Sequence, residues 1–186
     1  AALWPMGAVG EKKYYFSAMF AALTAYTEAN NADVPYESPS NKDLRITATV
    51  LKDGTTVALD QQQANDVLNA NGVITAVNAD GFKSWGNNTA AYPSTTDPKD
   101  RWWAVRRFFD WDGNNFIRTY FQKVDKPGNK RLIQSIVDSQ NIIGNGYVAR
   151  DYCAGYRVEF RSDENPVTNL LDGHLTTHTY LAPYIP

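Results

Sequence analysis

Apolar residues along the chain follow helical spacing in some segments and strand-like alternation in others. The apolar run at residues 2–9 is broken by Pro5 and Gly7, which predicts a strand that ends in a turn. The segment 12–29 contains no glycine or proline and predicts a helix. Four alanines recur along it at three- and four-residue spacing: Ala18, Ala21, Ala22 and Ala25. We expect this alanine stripe to pack closely against a sheet or another helix.

A polar connection at 30–44 separates this helix from a segment rich in β-branched residues at 45–59. Asp53-Gly54, near the middle of the second segment, predicts a hairpin turn. Asp60 is placed to cap a short helix, and Gly72 is placed to end it. Helices and strands therefore alternate in the first half of the chain.

The clearest strand signal lies at residues 73–77 and 81–85, which flank a tight turn. In the second of these strands we expect the aromatic residues to alternate across the sheet with Lys83 and Ser84. The prediction places Trp85 in the interior of the domain.

The second half of the chain begins with its densest aromatic segment, at 102–124, which predicts a strand that runs into a helix. Apolar residues at 132–143 have helical spacing, and Gly144-Asn145-Gly146 predicts the end of that helix. The segments 156–160 and 174–182 alternate as antiparallel strands do. The element order predicts an α+β fold, a mixed β-sheet flanked by helices, in a single domain over residues 1–186.

Composition and charge exclude several classes of partner. The formal net charge of -2 gives no field that would attract nucleic acid or an anionic membrane, and we expect Arg106-Arg107 to form salt bridges rather than to stack on bases. No apolar run approaches the roughly 20 residues that cross a bilayer. Cys153 is the only cysteine, so no internal disulfide can form, and a reducing compartment is favoured.

The side chains that could carry catalysis or bind a metal do not form a recognisable set. His174 and His178 lie four residues apart without a third ligand nearby, which favours surface or interface histidines over a zinc site. Cys153 lacks the pattern of a thiol enzyme and is expected to be a buried, inert thiol. The sequence therefore predicts neither an enzyme nor a cofactor-binding protein.

One segment has part of the spacing of a calcium-binding loop. Oxygen-bearing side chains stand at its first, third and fifth positions: Asp110, Asp112 and Asn114. The sixth position, where the turn requires glycine, is Asn115, and the twelfth, where a glutamate should close the site, is Phe121. We therefore expect a solvated helix start here and no metal.

The segment VLNANGVITAVNADGFKSWGNNT, residues 67–89, resembles a signature of contractile phage tail sheath proteins. In that family a short helix leads to L-N-x-x-G-V, then to a strand, a turn and a W-G-x-x-T ending. The matching positions in this chain are Leu68-Asn69, Gly72-Val73, Gly81, Trp85-Gly86 and Thr89. The family usually has a basic residue before this threonine, whereas this chain has Asn88. The segment 35–41 is similar to the family's P-x-x-S-P-S-N motif.

The resemblance implies the C-terminal, tube-facing domain of a sheath subunit, a structural protein that polymerises around a tail tube and contracts to drive the tube through the target envelope. Its implied partners are further copies in stacked hexameric rings, the tail tube protein, and the baseplate and tail terminator proteins. Its implied location is the virion, after assembly in the host cytoplasm. A phage-derived particle such as an R-type bacteriocin, or another contractile system including type VI secretion, is equally compatible with the composition. The chain begins without methionine, and we expect it to be a fragment that lacks the N-terminal part and the C-terminal arm. An open sheet edge and a monomeric state would follow for the fragment.

The resemblance also suggests where a tube contact would lie, because the family uses a charged surface there. The best candidates are the cations around the segment KPGNKR: Lys123, Lys126, Lys130 and Arg131. The alternative is that these are ordinary solvated side chains.

A different class of function stays open from the residues alone. The aromatic surface around Trp102, Trp103 and Trp111 could belong to a carbohydrate-binding or other ligand-binding module. Buried tryptophans would favour the sheath interpretation, and an exposed row over a groove would favour the sugar binder.

Overall fold

The computed structural model describes residues 1–186 and divides into two compact units. Unit 1 comprises Ala1–Phe108 with Ile185–Pro186, and unit 2 comprises Phe109–Tyr184. Helices and small sheets occur in the chain together, so the predicted α+β class is confirmed. The assignment of residues 1–186 to one sheath-type domain stays a prediction. No helix is both long enough and apolar enough to cross a membrane.

Unit 1 contains two three-stranded sheets. The strands are β1 (Ala2–Leu3), β2 (Met6–Val9), β3 (Lys12–Tyr14), β4 (Ala48–Val50), β5 (Val73–Asn78) and β6 (Phe82–Trp85). One sheet has the order β1-β5-β6, in which β1 runs parallel and β6 antiparallel to β5. The other has the order β3-β2-β4 and is antiparallel throughout. The predicted strands at 73–77 and 81–85 are confirmed.

The first helix, α1, spans Phe16–Asn30 and begins later than the sequence predicts. Lys12–Tyr14 forms β3 instead, because the chain turns at Gly10-Glu11 and pairs back on β2. Local helix propensity is weak compared with strand pairing of this kind.

The prediction that the alanine stripe of α1 faces the interior is wrong. All four alanines are exposed, and the buried residues of the helix are Phe16, Phe20, Thr24 and Thr27. Burying two phenylalanines removes far more apolar area from water than burying four alanines. The threonine hydroxyls donate to main-chain carbonyls one turn earlier, Thr24 to Phe20 at 2.8 Å and Thr27 to Leu23 at 2.9 Å, so both can face the core with their hydroxyls paired.

The core of unit 1 forms where α1 covers the β1-β5-β6 sheet. One cluster of buried residues there consists of Phe16, Phe20, Leu44, Ile74 and Ala76. Trp103, at the start of a later helix, is partly buried against this cluster, with its ring centroid 5.7 Å from that of Phe20.

The helix predicted to begin after Asp60 is present but irregular. It starts as α2 (Gln61–Gln63), continues as a π-helical turn (Ala64–Leu68) and ends as a 3-10 turn (Asn69–Asn71). The Asp60 carboxylate accepts from the Gln63 amide at 2.7 Å, and Gly72 ends the helix in a left-handed conformation, so both predicted boundaries are confirmed.

The aromatic segment at 102–124 is almost entirely helical, where the sequence predicts a strand first. After the short helix α3 (Pro98–Arg101), only Trp102 is extended, in a single bridge to Asn88, and α4 then spans Trp103–Tyr120. A 3-10 turn, Phe121–Lys123, follows.

Unit 2 packs a long helix against a two-stranded sheet. The helix α5 spans Lys130–Ala149, and the antiparallel sheet consists of β7 (Cys153–Glu159) and β8 (His178–Pro183), with the short helix α6 (Val167–Leu171) between the strands. The predicted end of α5 at Gly144 is wrong, because the helix continues through both glycines to Ala149. Gly144 is where the helix approaches the ring of Tyr156 on β7.

Candidate interaction surfaces

The cations predicted to form a partner contact all lie on the exposed connection between α4 and α5. Every residue from 121 to 131 is exposed. Lys123 ends the 3-10 turn, Lys126 lies in the following turn, and Lys130 and Arg131 begin α5. None of the four forms a salt bridge. These unpaired charges are available to a partner, and whether they contact one stays a prediction.

An apolar groove of about 550 Å³ lies beside this basic connection, entirely within unit 2. Its walls come from the end of α4, the α4–α5 connection, the start of α5 and the segment 170–177. The groove is lined by Lys123 and Lys126 but not by Lys130 or Arg131. The sequence pattern does not predict this groove, although Phe121 and Val124, which stand among the lysines, are a signal of it.

The two-stranded sheet of unit 2 has one blocked edge and one open edge. On the outer edge of β7, the main-chain N–H and C=O of Val158 are both bonded to the side-chain amide of Asn141, at 2.8 Å each. Val158 therefore points its main chain away from β8, and its partner Thr179 points its own main chain to the opposite, outer edge of β8. Leu181, two residues further on, points the same way, and no third strand pairs there.

A buried polar cluster joins α4, α5 and β7 within unit 2. Asp112 is 6% exposed, so the expectation that it belongs to a solvated helix start is wrong. Its carboxylate accepts from the Tyr156 hydroxyl at 2.9 Å, and that hydroxyl accepts from Nε2 of Gln140 at 2.7 Å. No cation balances the carboxylate, and burial raises its pKa above the ordinary value, with the tyrosine bond acting in the opposite direction.

Asp112 gives unit 2 a predictable pH dependence. Because its folded-state pKa is raised, its contribution to stability is fully present below the unfolded pKa and is lost as pH rises through the folded pKa. We therefore expect Asp112→Asn to gain stability relative to the unsubstituted chain as pH increases from about 3 to 7. Urea unfolding of both proteins across this range measures the difference. A stability difference that is constant or that falls with pH would contradict the assignment.

The two arginines predicted to form salt bridges do so. Arg106 Nη1 lies 3.0 Å from Asp100 Oδ1. Arg107 forms a bidentate salt bridge with Glu28, in which Nη2 donates to Oε2 at 2.8 Å. The second pair ties α4 to α1 within unit 1. The arginines therefore have structural partners.

The other residues considered for chemistry are dispersed. Cys153 is fully buried, as expected, and burial raises the pKa of its thiol. His178 lies 3.3 Å from the Glu164 carboxylate, and His174 is exposed in the preceding loop. Positions 110–114 lie inside α4, which replaces the extended calcium-loop geometry with helix.

The tryptophans do not form an exposed row. Trp102, Trp103 and Trp111 are each partly buried, and each contacts a different side chain. Arg101 stacks on Trp102 at 4.2 Å, Phe20 packs on Trp103, and the ring of Tyr147 lies 5.6 Å from that of Trp111. Partly buried rings with separate partners fit the packing interpretation rather than a sugar-binding platform.

The signature segment is a network of structural hydrogen bonds. The Trp85 indole N–H donates to Asn65 at 2.8 Å, which ties β6 to the irregular helix. The Asn88 amide donates to the main-chain oxygen of Asn69 at 2.9 Å, and Arg101 donates to Asn88 at 3.2 Å. The side chain of Asn88 therefore has a structural role, linking the short helix to the segment before α4.

The predicted alternation within β6 is wrong because its two aromatic residues do not lie on the same face of the strand. Ser84 is fully buried, while Trp85 is only partly buried and Lys83 pairs with Asp43 at 2.5 Å. A strand has a period of two, so residues three apart such as Phe82 and Trp85 must face opposite sides. Phe82 is the aromatic that packs against the core.

The curated proteins found to be similar to this chain are tail sheath proteins. No family model matches, but the tail sheath protein of Burkholderia phage BcepMu is 31% identical over 150 residues, which are 78% of this chain and 31% of that protein. The tail sheath protein of Escherichia phage P2 is 30% identical over 115 residues, 59% of this chain and 27% of that protein. The major tail sheath protein of Serratia phage KSP20 is 24% identical over 189 residues, 99% of this chain and 47% of that protein. The chain spans about a quarter to a half of the length of these relatives.

Solved structures share the fold over the whole chain. An anti-feeding prophage baseplate structure contains a chain with a TM-score of 0.84 and 18% identity, in which 100% of this chain matches 51% of that one. The sheath complex of an extracellular contractile injection system, PVC, in its contracted state gives a TM-score of 0.81 at 17% identity, with coverages of 100% and 52%. At such low identity these likenesses establish the fold.

Proposed function

This chain belongs to the contractile tail sheath family, and we propose that it forms the C-terminal, tube-facing part of a structural sheath subunit. In this role the subunit polymerises around a tail tube and contracts to drive the tube through the target envelope. The work is mechanical and requires no catalytic group, since the energy comes from rearranging contacts between subunits in a lattice. Its location would be the tail of a virion or a related particle, assembled in the host cytoplasm.

The observation that carries this proposal is the open outer edge of β8. A two-stranded sheet is marginally stable by itself, and an unpaired strand edge is a template for a strand from another chain. Asn141 blocks the β7 edge at Val158, which leaves the main-chain groups of Thr179 and Leu181 to accept a neighbour. Strand addition at this edge would link one subunit to the next through main-chain hydrogen bonds.

The test is to introduce Thr179→Pro into the full-length protein. The Thr179 amide points away from β7, so proline removes a donor from the outer edge and leaves the β7–β8 ladder bonds in place. We expect a folded subunit by circular dichroism that no longer forms sheaths in negative-stain micrographs. Thr179→Val, which keeps the amide, is the matched control and should assemble. Normal sheaths from the proline variant would contradict strand addition at β8.

The basic connection is proposed as the tube contact. Lys123, Lys126, Lys130 and Arg131 are exposed and unpaired, which suits an electrostatic contact that can release during contraction. The same micrographs test this with Lys130→Glu combined with Arg131→Glu, which should reduce assembly on tubes. Unchanged sheath formation on tubes would contradict this contact while leaving the family assignment in place.

The remaining partners follow from the same role. We propose that the full-length subunit forms hexameric rings that stack helically, and that the sheath ends against baseplate and tail terminator proteins. Tubes or rings from the full-length protein expressed alone would support self-assembly, and a stable monomer that never polymerises would argue against it.

A further inference from the structure

The groove of unit 2 exposes large apolar side chains that a soluble surface normally covers. Three of them are mostly accessible to solvent: Ile117 at 62%, Phe121 at 69% and Val124 at 61%. Leu170 and Leu175, which also line the groove, are 39% and 42% exposed. Contiguous exposed apolar surface on a domain marks a binding site for another molecule.

The polar groups around this apolar floor carry mainly positive charge. Lys123 and Lys126 line the groove, with Asp125 as its one acidic residue. Lys130 and Arg131 extend the basic surface into the first turn of α5, which contains no acidic side chain. Cations at a helix N-terminus add to the positive end of the helix dipole. A segment of another molecule that enters the groove would therefore contact an apolar surface next to a region of positive potential.

The positive charge beside the groove argues against a second copy bound through the same face and favours an acidic segment. A second copy that presented the same face would bring lysines against lysines, and like charges across an interface oppose association. A segment with apolar side chains on one side and carboxylates on the other can pack against the apolar lining of the groove and pair with the lysines beside it.

We propose that the groove formed by α4, the α4–α5 connection and residues 170–177 binds an acidic amphipathic segment of a different protein chain. The apolar residues of that segment fill the space over Phe121 and Val124, and its carboxylates face Lys123 and Lys126. The inference deepens the proposed tube contact and rests on it for the partner's place in a particle. It adds that the contact is anchored by apolar burial as well as by charge.

Direct binding to the 186-residue chain tests the chemistry of the groove without assembly. The probes are two fluorescent helical peptides with the same leucine spacing, one carrying glutamate and the other lysine at the remaining positions. We expect the glutamate peptide to bind about tenfold or more tightly than the lysine peptide, and its affinity to fall with added salt. Equal affinity for the two peptides would overturn the proposal.

Matched variants place that binding in the groove. Phe121→Ser should weaken the glutamate peptide about tenfold, whereas Val67→Ser, at a similarly exposed residue of unit 1, should not. Both side chains are more than 60% exposed, so neither change removes a core contact. Equal effects of the two substitutions, or none from Phe121→Ser, would overturn the assignment of the site.

A photo-crosslinking side chain at Val124 in assembled full-length protein then identifies the natural occupant. The expected product is a segment of another protein that combines apolar and acidic residues. A crosslink to a second copy of the same protein, to a neutral or basic segment, or to nothing in intact particles would contradict the proposed occupant. Because this readout requires assembled particles, failure of sheath assembly is seen separately and counts against the proposed function.

Discussion

Gly144→Ala is expected to destabilise unit 2 by about 3 kcal/mol, at the upper end of the usual range for overpacking a core. A Cβ at this position would lie 1.8 Å from Cδ1 of Tyr156 and 2.3 Å from its Cγ, so the ring or the helix must move. The ring is held by the hydrogen bonds of its hydroxyl to Asp112 and Gln140. Moving it therefore breaks bonds to a buried carboxylate in addition to disturbing the packing of α5 on β7.

The same helix supplies the control. A Cβ on Gly146 would meet only the flexible guanidinium of Arg150, at 3.2 Å. Gly146→Ala should therefore stabilise the chain by roughly 0.5 to 1 kcal/mol, the ordinary difference between the two residues inside a helix. Urea unfolding followed by circular dichroism measures both variants. If Gly144→Ala were as stable as Gly146→Ala, the close approach of α5 to Tyr156 would be wrong.

This pair explains why the end of α5 could not be predicted from sequence. Two glycines separated by one residue resemble a helix stop, and propensity alone gives no reason to continue. At Gly144 the missing side chain makes room for a tyrosine that is twelve residues later in the chain. The local sequence pattern gives no sign of such a contact. The helix cap at Asp60 and the helix end at Gly72, in contrast, depend on turn geometry within a few residues, and both were predicted correctly.

The orientation of α1 was mispredicted for a related reason. An alanine stripe and a stripe of phenylalanines and threonines coexist on the same helix, and hydrophobic spacing does not rank them. The larger apolar area of Phe16 and Phe20 decides which face is buried. The threonines can be buried because their hydroxyls donate hydrogen bonds to main-chain carbonyls of the same helix.

The positions of the candidate interaction surfaces follow from the sequence only in part. The sequence places the lysines together on one connection, and the structure agrees, but the groove beside them depends on residues 170–177, which are distant in sequence. The blocked and open edges of the β7–β8 sheet are also beyond sequence reasoning. The blocked edge depends on a single side-chain amide, that of Asn141, which lies on a helix and bonds to the main chain of a strand. Nothing in the local sequence distinguishes this asparagine from a solvated one.

Gly72→Ala is expected to destabilise unit 1 by at least about 3 kcal/mol, through backbone strain and a clash that side-chain movement cannot relieve. Gly72 has φ of 72°, and a Cβ there would lie 2.5 Å from the main-chain oxygens of both Thr89 and Tyr92. These carbonyls belong to the loop that follows β6, so the substitution would push apart the two ends of the family signature. Thermal and urea unfolding would both detect the loss.

Gly81→Ala separates the two causes. Gly81 also has a positive φ, 103°, but a Cβ there would meet nothing within 4 Å, so only the strain of about 1 to 2 kcal/mol should remain. Equal losses for the two variants would mean that glycine is needed at both positions for conformation alone. A larger loss for Gly72→Ala would show that the first glycine of the signature is needed for close packing. The signature residues would then be those that the contact between the short helix and the loop after β6 requires. A structural requirement of this kind explains how a segment without catalytic chemistry can identify a family.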